Sequence, residues 1–203
     1  MTAAVSLAGT VAVGRTFLDA PPTRGLYRPT AHNLSRGETQ IQFLAFSSPT
    51  NPLEFFEFEY GLSDVFEVGA RPVSALFGDV RVWAKYHVGT TGPVSLAIPL
   101  GLDVRFAAPA WAARAGWVLS WRAFRWVSLH PGLELTFVPA MGIYPYLGAH
   151  FDVWTNLKLV LEIDGEDPYL TVGALVWMLG FVRLQIDTPL PSVQLRISIT
   201  GRF

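Results

Sequence analysis

The clearest pattern in the chain is a strict alternation of apolar and polar residues. In the last twelve residues, every second position from Val193 to Phe203 is apolar or glycine, and the positions between them, from Gln194 to Arg202, are polar. Neighbouring side chains of a β-strand point to opposite faces of the sheet, whereas a helix would mix the two sets. Residues 94–106 alternate in the same way, and so do shorter runs elsewhere. The pattern predicts amphipathic strands.

From residue 38 onward the alternation predicts about twelve strands, at 38–48, 53–61, 65–76, 79–89, 93–106, 115–124, 127–138, 143–154, 157–164, 168–178, 181–188 and 192–203. Ten strands remain an alternative, because the stretch from Arg122 to His130 divides in more than one way. Tight turns at 62–64, 89–92, 155–156 and 179–180 are expected at one end, and longer connections at 47–52, 107–113, 165–168 and 188–192 at the other.

Composition indicates which face of these strands is wet. Hydrophobic residues make up 51% of the 203 residues and charged residues only 15%, against about 25% in a typical soluble domain. A soluble sandwich also alternates, but an apolar face without charges fits lipid, where an Arg or Lys at the midplane costs about 2–4 kcal/mol. Open strand edges in hydrocarbon leave backbone groups unpaired. We therefore predict an all-β fold, a closed antiparallel up-and-down transmembrane β-barrel in a lipid bilayer.

Two regions are expected, an irregular N-terminal part at 1–37 and the barrel at 38–203. Residues 2–14 are rich in small residues, as in the remnant of a secretory signal or in a first extended segment. Residues 15–37 contain Pro21, Pro22 and Pro29 and do not alternate. This stretch is a leader, an arm along the barrel mouth or a plug inserted into the barrel, and the sequence does not choose among them.

Three motifs resemble bacterial outer-membrane β-barrels. The apolar C-terminal strand ending in Phe203 is similar to their terminal recognition strand, which implies that the barrel-assembly machinery reads Ile197, Ile199 and Phe203. The segment 25–37 resembles the opening of the barrel in YjbH-type outer-membrane proteins. The segments 60–64 and 66–69 resemble the first periplasmic turn of small barrels of the OmpA and OmpX kind. The resemblance implies a bacterial outer-membrane location.

Charged residues fall on the polar register of the predicted strands, with both signs mixed. They are expected to face the lumen, either as a lattice of ion pairs that keeps the barrel shut or as the lining of a weakly selective channel, because twelve strands lie between the eight of a filled barrel and the sixteen of a porin. The predicted lumen-facing residues are Glu57, Glu59, Glu67, Arg71, Arg81, Lys85, Asp103, Arg105, Arg122, Glu134, Asp152, Lys158, Glu162, Arg183, Asp187, Arg196 and Arg202.

Aromatic residues lie at or near the proposed strand ends, where they are expected to form girdles at the lipid interfaces; the alternative is packing in a β-core. These residues are Trp117, Trp121, Tyr144, Tyr146, Trp154, Tyr169 and Trp177. Two acidic groups, one containing Glu57, Glu59 and Glu67 and the other at 165–168, are interpreted as solvated surface rather than as divalent-cation sites. We therefore predict neither a metal nor a cofactor.

Chemical motifs are not evident in the sequence. It has no Walker loop, dinucleotide fingerprint, His-Glu-x-x-His or Gly-x-Ser-x-Gly motif, and the absence of cysteine excludes thiol chemistry. His87 and His150 lie on the polar register near Lys85 and Asp152, which leaves a lipid-modifying enzyme as a minor alternative. The net charge of −1 disfavours nucleic acid as a partner.

The preferred functional hypothesis is a non-enzymatic outer-membrane barrel that acts as a narrow passive channel for small solutes or as a structural element of the envelope. A barrel that anchors other proteins of an envelope complex is the main alternative, and a soluble lipocalin-like binder is a further one. The strand pattern supports the barrel in each case, and it identifies neither the solute nor the partner.

Overall fold

The computed structural model describes residues 28–46, 56–106, 110–138, 141–165, 170–179, 182–190 and 196–203. Side chains are described for these residues except 44–46, 110, 179 and 196. Tyr169 and most of the acidic group at 165–168 therefore lie outside the described residues, as do residues 1–27 with Pro21 and Pro22. Among the described residues, no helix is both long and apolar enough to cross a bilayer.

The described part of the chain forms twelve strands. They are β1 (Thr39–Phe46), β2 (Glu57–Ser63), β3 (Phe66–Ala70), β4 (Asp79–Thr91), β5 (Val94–Arg105), β6 (Ala110–Phe124), β7 (Val127–Thr136), β8 (Gly142–Trp154), β9 (Leu157–Asp164), β10 (Leu170–Leu179), β11 (Val182–Leu190) and β12 (Arg196–Arg202). The prediction of twelve strands is confirmed, and the alternative of ten is wrong, since Ala110–Phe124 and Val127–Thr136 are two separate strands.

The strands form one closed antiparallel barrel. Each strand pairs with its neighbours in sequence, and β1 closes the ring by pairing with β12, where Gln40 lies opposite Arg202 and Phe43 opposite Ile199. Closure gives every strand two partners and leaves no open edge. The predicted fold class, an all-β closed up-and-down barrel, is confirmed.

Several strand boundaries differ from the prediction, among them those of β3, β6 and β11. The strand expected at 65–76 ends at Ala70, because Pro72 has no N–H to donate to the ladder, and a 3-10 helix at Ser74–Phe77 follows. The connection expected at 107–113 is shorter, since β6 already begins at Ala110; its alanines give no polar alternation that would reveal a strand. β11 extends to Leu190, and Pro189 lies opposite Thr171 of β10.

The two faces of the barrel wall differ in polarity. Large apolar side chains are exposed on the outside, as in β5, where Ile98, Leu100 and Leu102 are exposed and the alternate residues Ser95 and Ala97 are buried. The inside is largely polar and includes buried Glu, Lys and Arg side chains. In a soluble protein, such large apolar side chains would be buried in the interior. The outer apolar surface is therefore of the kind that lipid covers.

Candidate functional site

Residues 28–38, called here the crossing segment, begin inside the barrel and end next to the start of β1, with Arg36 and Gly37 exposed. Arg28 contacts β7 and β9, Ala31 contacts β6 and β4, and Leu34 contacts β3. In a ring of twelve strands, β8 and β2 lie on opposite sides, so the segment passes from one wall to the other. Ala31 and Leu34 are fully buried. The segment thus lies across the lumen between these walls.

Arg28 anchors the first end of the crossing segment. Its Nε and Nη2 atoms donate to the two carboxylate oxygens of Asp164, each at 2.6 Å, and its Nη1 donates to Glu134 at 3.1 Å. Its backbone N–H donates to Glu162 at 2.8 Å, and its guanidinium lies 5.4 Å from the centre of the Tyr146 ring. Burial acts to lower the pKa of Arg28, but the bonds and charges of Asp164 and Glu134 outweigh it and raise that pKa.

The middle of the segment is held through its backbone. The Ala31 N–H donates to Ser120 Oγ at 2.8 Å, and the Ala31 carbonyl oxygen lies 2.9 Å from His87 Nδ1. The next residue, His32, meets the His130 ring edge-on at 6.3 Å between centroids. Burial, followed by the positive charges of nearby groups such as Lys85, lowers the pKa of His32 to about 4. His32 is therefore neutral at pH 7.

The second end of the segment docks against β2, β3 and β12. The Leu34 N–H donates to Glu67 at 2.8 Å, and Glu67 also pairs with Lys85 at 2.8 Å. Glu38 accepts a 2.5 Å bond from Arg202. Burial acts to raise the pKa of Glu38, but its bonds to Arg202 and to the Ser35 N–H outweigh it and lower that pKa. Glu38 therefore stays charged at neutral pH.

The predicted lumen-facing residues divide by burial. Those with side chains buried or mostly buried inside the barrel are Glu57, Glu59, Glu67, Arg71, Lys85, Asp103, Glu134, Asp152, Lys158, Glu162, Arg183, Asp187 and Arg202. Arg81 is more accessible, and Arg105 and Arg122 are exposed near the ends of their strands. Arg196 belongs to β12, but its side chain lies outside the described part.

Ion pairs connect neighbouring strands on the inner wall. Arg114 joins Asp103 of β5 at 3.2 Å to Glu134 of β7 at 3.0 Å. Arg81 pairs with Asp103 at 2.7 Å, and Lys158 pairs with Asp152. Such pairs compensate the loss of hydration inside the barrel. The inner wall therefore contains a lattice of mixed charge.

The acidic group of β2 and β3 is divided among separate partners. Glu57 pairs with Arg71, Glu59 accepts from Gln40 at 2.6 Å, and Glu67 binds Lys85 and the Leu34 N–H. No group of three metal-binding side chains occurs among the residues that the structure describes.

The histidines considered for catalysis lie in different surroundings from those expected. His87 binds the Ala31 carbonyl and Thr90. His150 is buried against His130, with 4.2 Å between the ring centroids, and its Nε2 has no hydrogen-bond partner among the described residues. The Ser–His contact that does form joins Ser120 Oγ to His130 Nδ1 at 2.7 Å, and that hydroxyl also accepts the Ala31 N–H.

The aromatic girdle is only partly formed. Trp117, Trp121 and Trp154 are exposed on the outer surface, as expected. The placement of Tyr146 and Trp177 in a girdle is wrong, because both rings are buried on the inner register. Tyr144 shares that register and is half-buried against Gly142. The girdle prediction for these three residues uses only their position along the strand. The register of the strand decides whether a side chain points to lipid or to the lumen.

Several residues of the candidate site are not identified by the sequence analysis. Arg28, Ala31 and Leu34 lie in a segment without periodicity, and their partners are distant in sequence. Composition does not mark them either, because a solvated leader also accommodates Arg28 and His32. Tyr146 shares its register with His150 and Asp152, and that register already indicated an inward ring.

A closed barrel with an apolar exterior and a charged interior is the architecture of transmembrane β-barrels. The chain is similar to the solved structure of KdgM porin, with a TM-score of 0.59 and 9% identity over 82% of this chain and 99% of that chain. KdgM porin in complex with disordered oligogalacturonate gives 0.58 and 9% over 82% and 98%, and NanC porin 0.54 and 7% over 80% and 98%. No family model and no curated protein matches the sequence. The likeness concerns the fold.

Proposed function

We propose that this chain is a bacterial outer-membrane channel for small solutes and that its crossing segment closes the lumen at rest. The observation that carries the proposal is the polarity of the wall, which is apolar outside and charged inside around a closed ring of strands. Lipid requires such an outer surface, and an aqueous path requires such an inner one. The porin fold of KdgM and NanC supports the same function.

The resting closure follows from how the segment is held. Arg28 at one wall and Glu38 near the opposite wall both form charge-assisted bonds, and Ala31 and Leu34 bond to side chains of the wall between them. Arg28, Ala31 and Leu34 bond to side chains of the wall rather than to the strand ladder, so this part of the segment can leave while the ladder stays paired. We infer a channel whose conductance depends on whether residues 28–38 are docked.

Planar-bilayer recording tests this function. The wild-type protein is expected to conduct rarely, and Arg28→Gln is expected to conduct more often, because it removes the bidentate pair with Asp164. The matched control is Arg36→Gln, since the Arg36 side chain is exposed on the same segment and should leave the conductance unchanged. Equal conductance of all three proteins would contradict the closing role of the segment.

A structural or anchoring role is the second candidate, and the dense interior favours it. Ion pairs connect neighbouring strands of the inner wall, and the crossing segment lies across the lumen. In that case Arg28→Gln stays silent in the bilayer although the barrel keeps the heat-modifiable migration of a folded outer-membrane protein. Stoichiometric co-purification with one envelope protein would then identify the anchored partner.

A further inference from the structure

Arg28 occupies a site that the barrel wall forms without it. Asp164 and Glu162 come from β9, Glu134 comes from β7, and Tyr146 comes from β8 between them. Asp164 lies directly opposite Tyr146 in the β8–β9 ladder, and Gly132 lies opposite Tyr146 in the β7–β8 ladder. The site is thus fixed by the register of three adjacent strands, while its occupant belongs to a segment outside the ladder.

The shape of the site suits a planar cation. Gly132 has no side chain, and the Tyr146 ring lies in the space that a Cβ at this position would take. The ring therefore rests against the wall and lies beside the Arg28 guanidinium at 5.4 Å, which is within cation–π range. Asp164 receives two parallel N–H bonds, the fork geometry that a guanidinium provides and an ammonium does not.

Two further features indicate a preformed binding site. Arg114 donates to Glu134 Oε1 at 3.0 Å and thereby fixes this carboxylate, whose Oε2 accepts from Arg28. The Tyr146 hydroxyl is buried and has no hydrogen-bond partner among the described residues. A buried hydroxyl is normally satisfied, so an unpaired one in the ring that borders the cation site offers a hydrogen bond to a polar group of a ligand.

We propose that Asp164, Glu134, Glu162 and Tyr146 form a solute-binding site for guanidinium compounds, such as agmatine or an arginine side chain, and that Arg28 occupies it as an internal mimic of the solute. The proposal deepens the channel function and rests on it for its physiological meaning. A guanidinium solute that takes the site competes with Arg28 and so releases the first end of the crossing segment. The solute then favours the undocked, conducting state.

Calorimetry on the folded full chain in detergent tests the site independently of conduction. Agmatine is expected to bind Arg28→Gln at least about tenfold more tightly than wild type, because the variant no longer competes for the charge-assisted hydrogen bonds of Asp164 and Glu134. Adding Asp164→Asn to Arg28→Gln should weaken agmatine binding by about the same factor. Arg36→Gln is the matched control and should bind like wild type.

The outcomes separate the site from the channel. Agmatine binding to Arg28→Gln, weakened by Asp164→Asn, supports the site even if no variant conducts, and in that case the channel function fails alone. Conductance of Arg28→Gln without agmatine binding overturns the site and leaves the channel standing. Butylamine that binds Arg28→Gln as tightly as agmatine overturns the assignment to guanidinium compounds, since it would show attraction of any cation.

Discussion

The Arg202 guanidinium of β12 donates a 2.5 Å hydrogen bond to the carboxylate of Glu38, the residue that joins the crossing segment to β1. This ion pair lies at the seam where the first and last strands close the barrel. Both side chains are largely buried, so solvent screens the pair only weakly. The contact couples the docking of the segment to the closure of the barrel.

Glu38→Gln is expected to destabilise the folded barrel by about 1.5–3 kcal/mol, because the substitution removes the charge of a buried charge-assisted bond. Urea unfolding in lipid vesicles, followed by tryptophan fluorescence, measures the difference. Asp79→Asn is the matched control, since the 3.8 Å pair of Asp79 with Arg105 is exposed and should contribute about 0–1 kcal/mol. An equal decrease in the free energy of unfolding of the two variants would show that the Glu38–Arg202 pair contributes no more than an exposed pair.

Gly61→Ala is expected to displace the crossing segment from β2. A Cβ at Gly61 would overlap the backbone oxygen of Ser35, and backbone cannot move aside as a side-chain end does. We therefore expect faster hydrogen exchange of the Leu34 amide and more frequent channel opening. The control is Gly89→Ala, where nothing lies within 4 Å of the new atom. Unchanged exchange at Leu34 in Gly61→Ala would contradict the tight docking.

The strands could be predicted from the sequence because their signal is local. In residues 94–106, large apolar side chains alternate with small or polar residues, and the observed strand Val94–Arg105 matches the prediction closely. The alternation also places Glu67 and Lys85 on the inner register, where they form a buried pair. Strand number, register and polarity of the two faces therefore follow from the pattern of period two.

The crossing segment could not be predicted in the same way. Its contacts join Arg28 to residues more than 100 positions away and depend on single side-chain atoms rather than on a repeated pattern. A proline-containing stretch without periodicity is compatible with a leader, an arm or a plug. Only the three-dimensional closure of the barrel brings Glu134 and Asp164 to one point, and that point defines the site of Arg28.

Docking of the crossing segment is expected to weaken in acid because of His32. The pKa of His32 is about 4 when docked, because of burial and nearby positive charges, and it is about 6.5 in an exposed histidine. The undocked state binds the proton more readily, so docking is fully stable above about pH 6.5 and loses stability as pH falls toward 4. The titratable groups of the wall around His32 are His87 and Lys85 of β4, His130 of β7, His150 of β8 and Lys158 of β9.

Channel opening measured between pH 7 and pH 5 tests this dependence. Wild type should open more often at pH 5, whereas His32→Gln should respond much less, because it carries no proton in this range. Arg36→Gln should keep the wild-type response. An identical acid response of His32→Gln and wild type would assign the effect to groups other than His32.

The outer surface gives the most direct test of membrane insertion. Leu100 is exposed near the middle of β5, and Val94 begins the same strand on the same outward register. Leu100→Arg is expected to destabilise the barrel in vesicles by about 2–4 kcal/mol, and Val94→Arg by about 0–1 kcal/mol, because the cost of a charge in lipid falls from the midplane to the interface. In a protein surrounded by water the two substitutions would be equally mild. Reversible unfolding of both variants in vesicles of the same lipid composition therefore distinguishes a lipid-covered wall from a hydrated one.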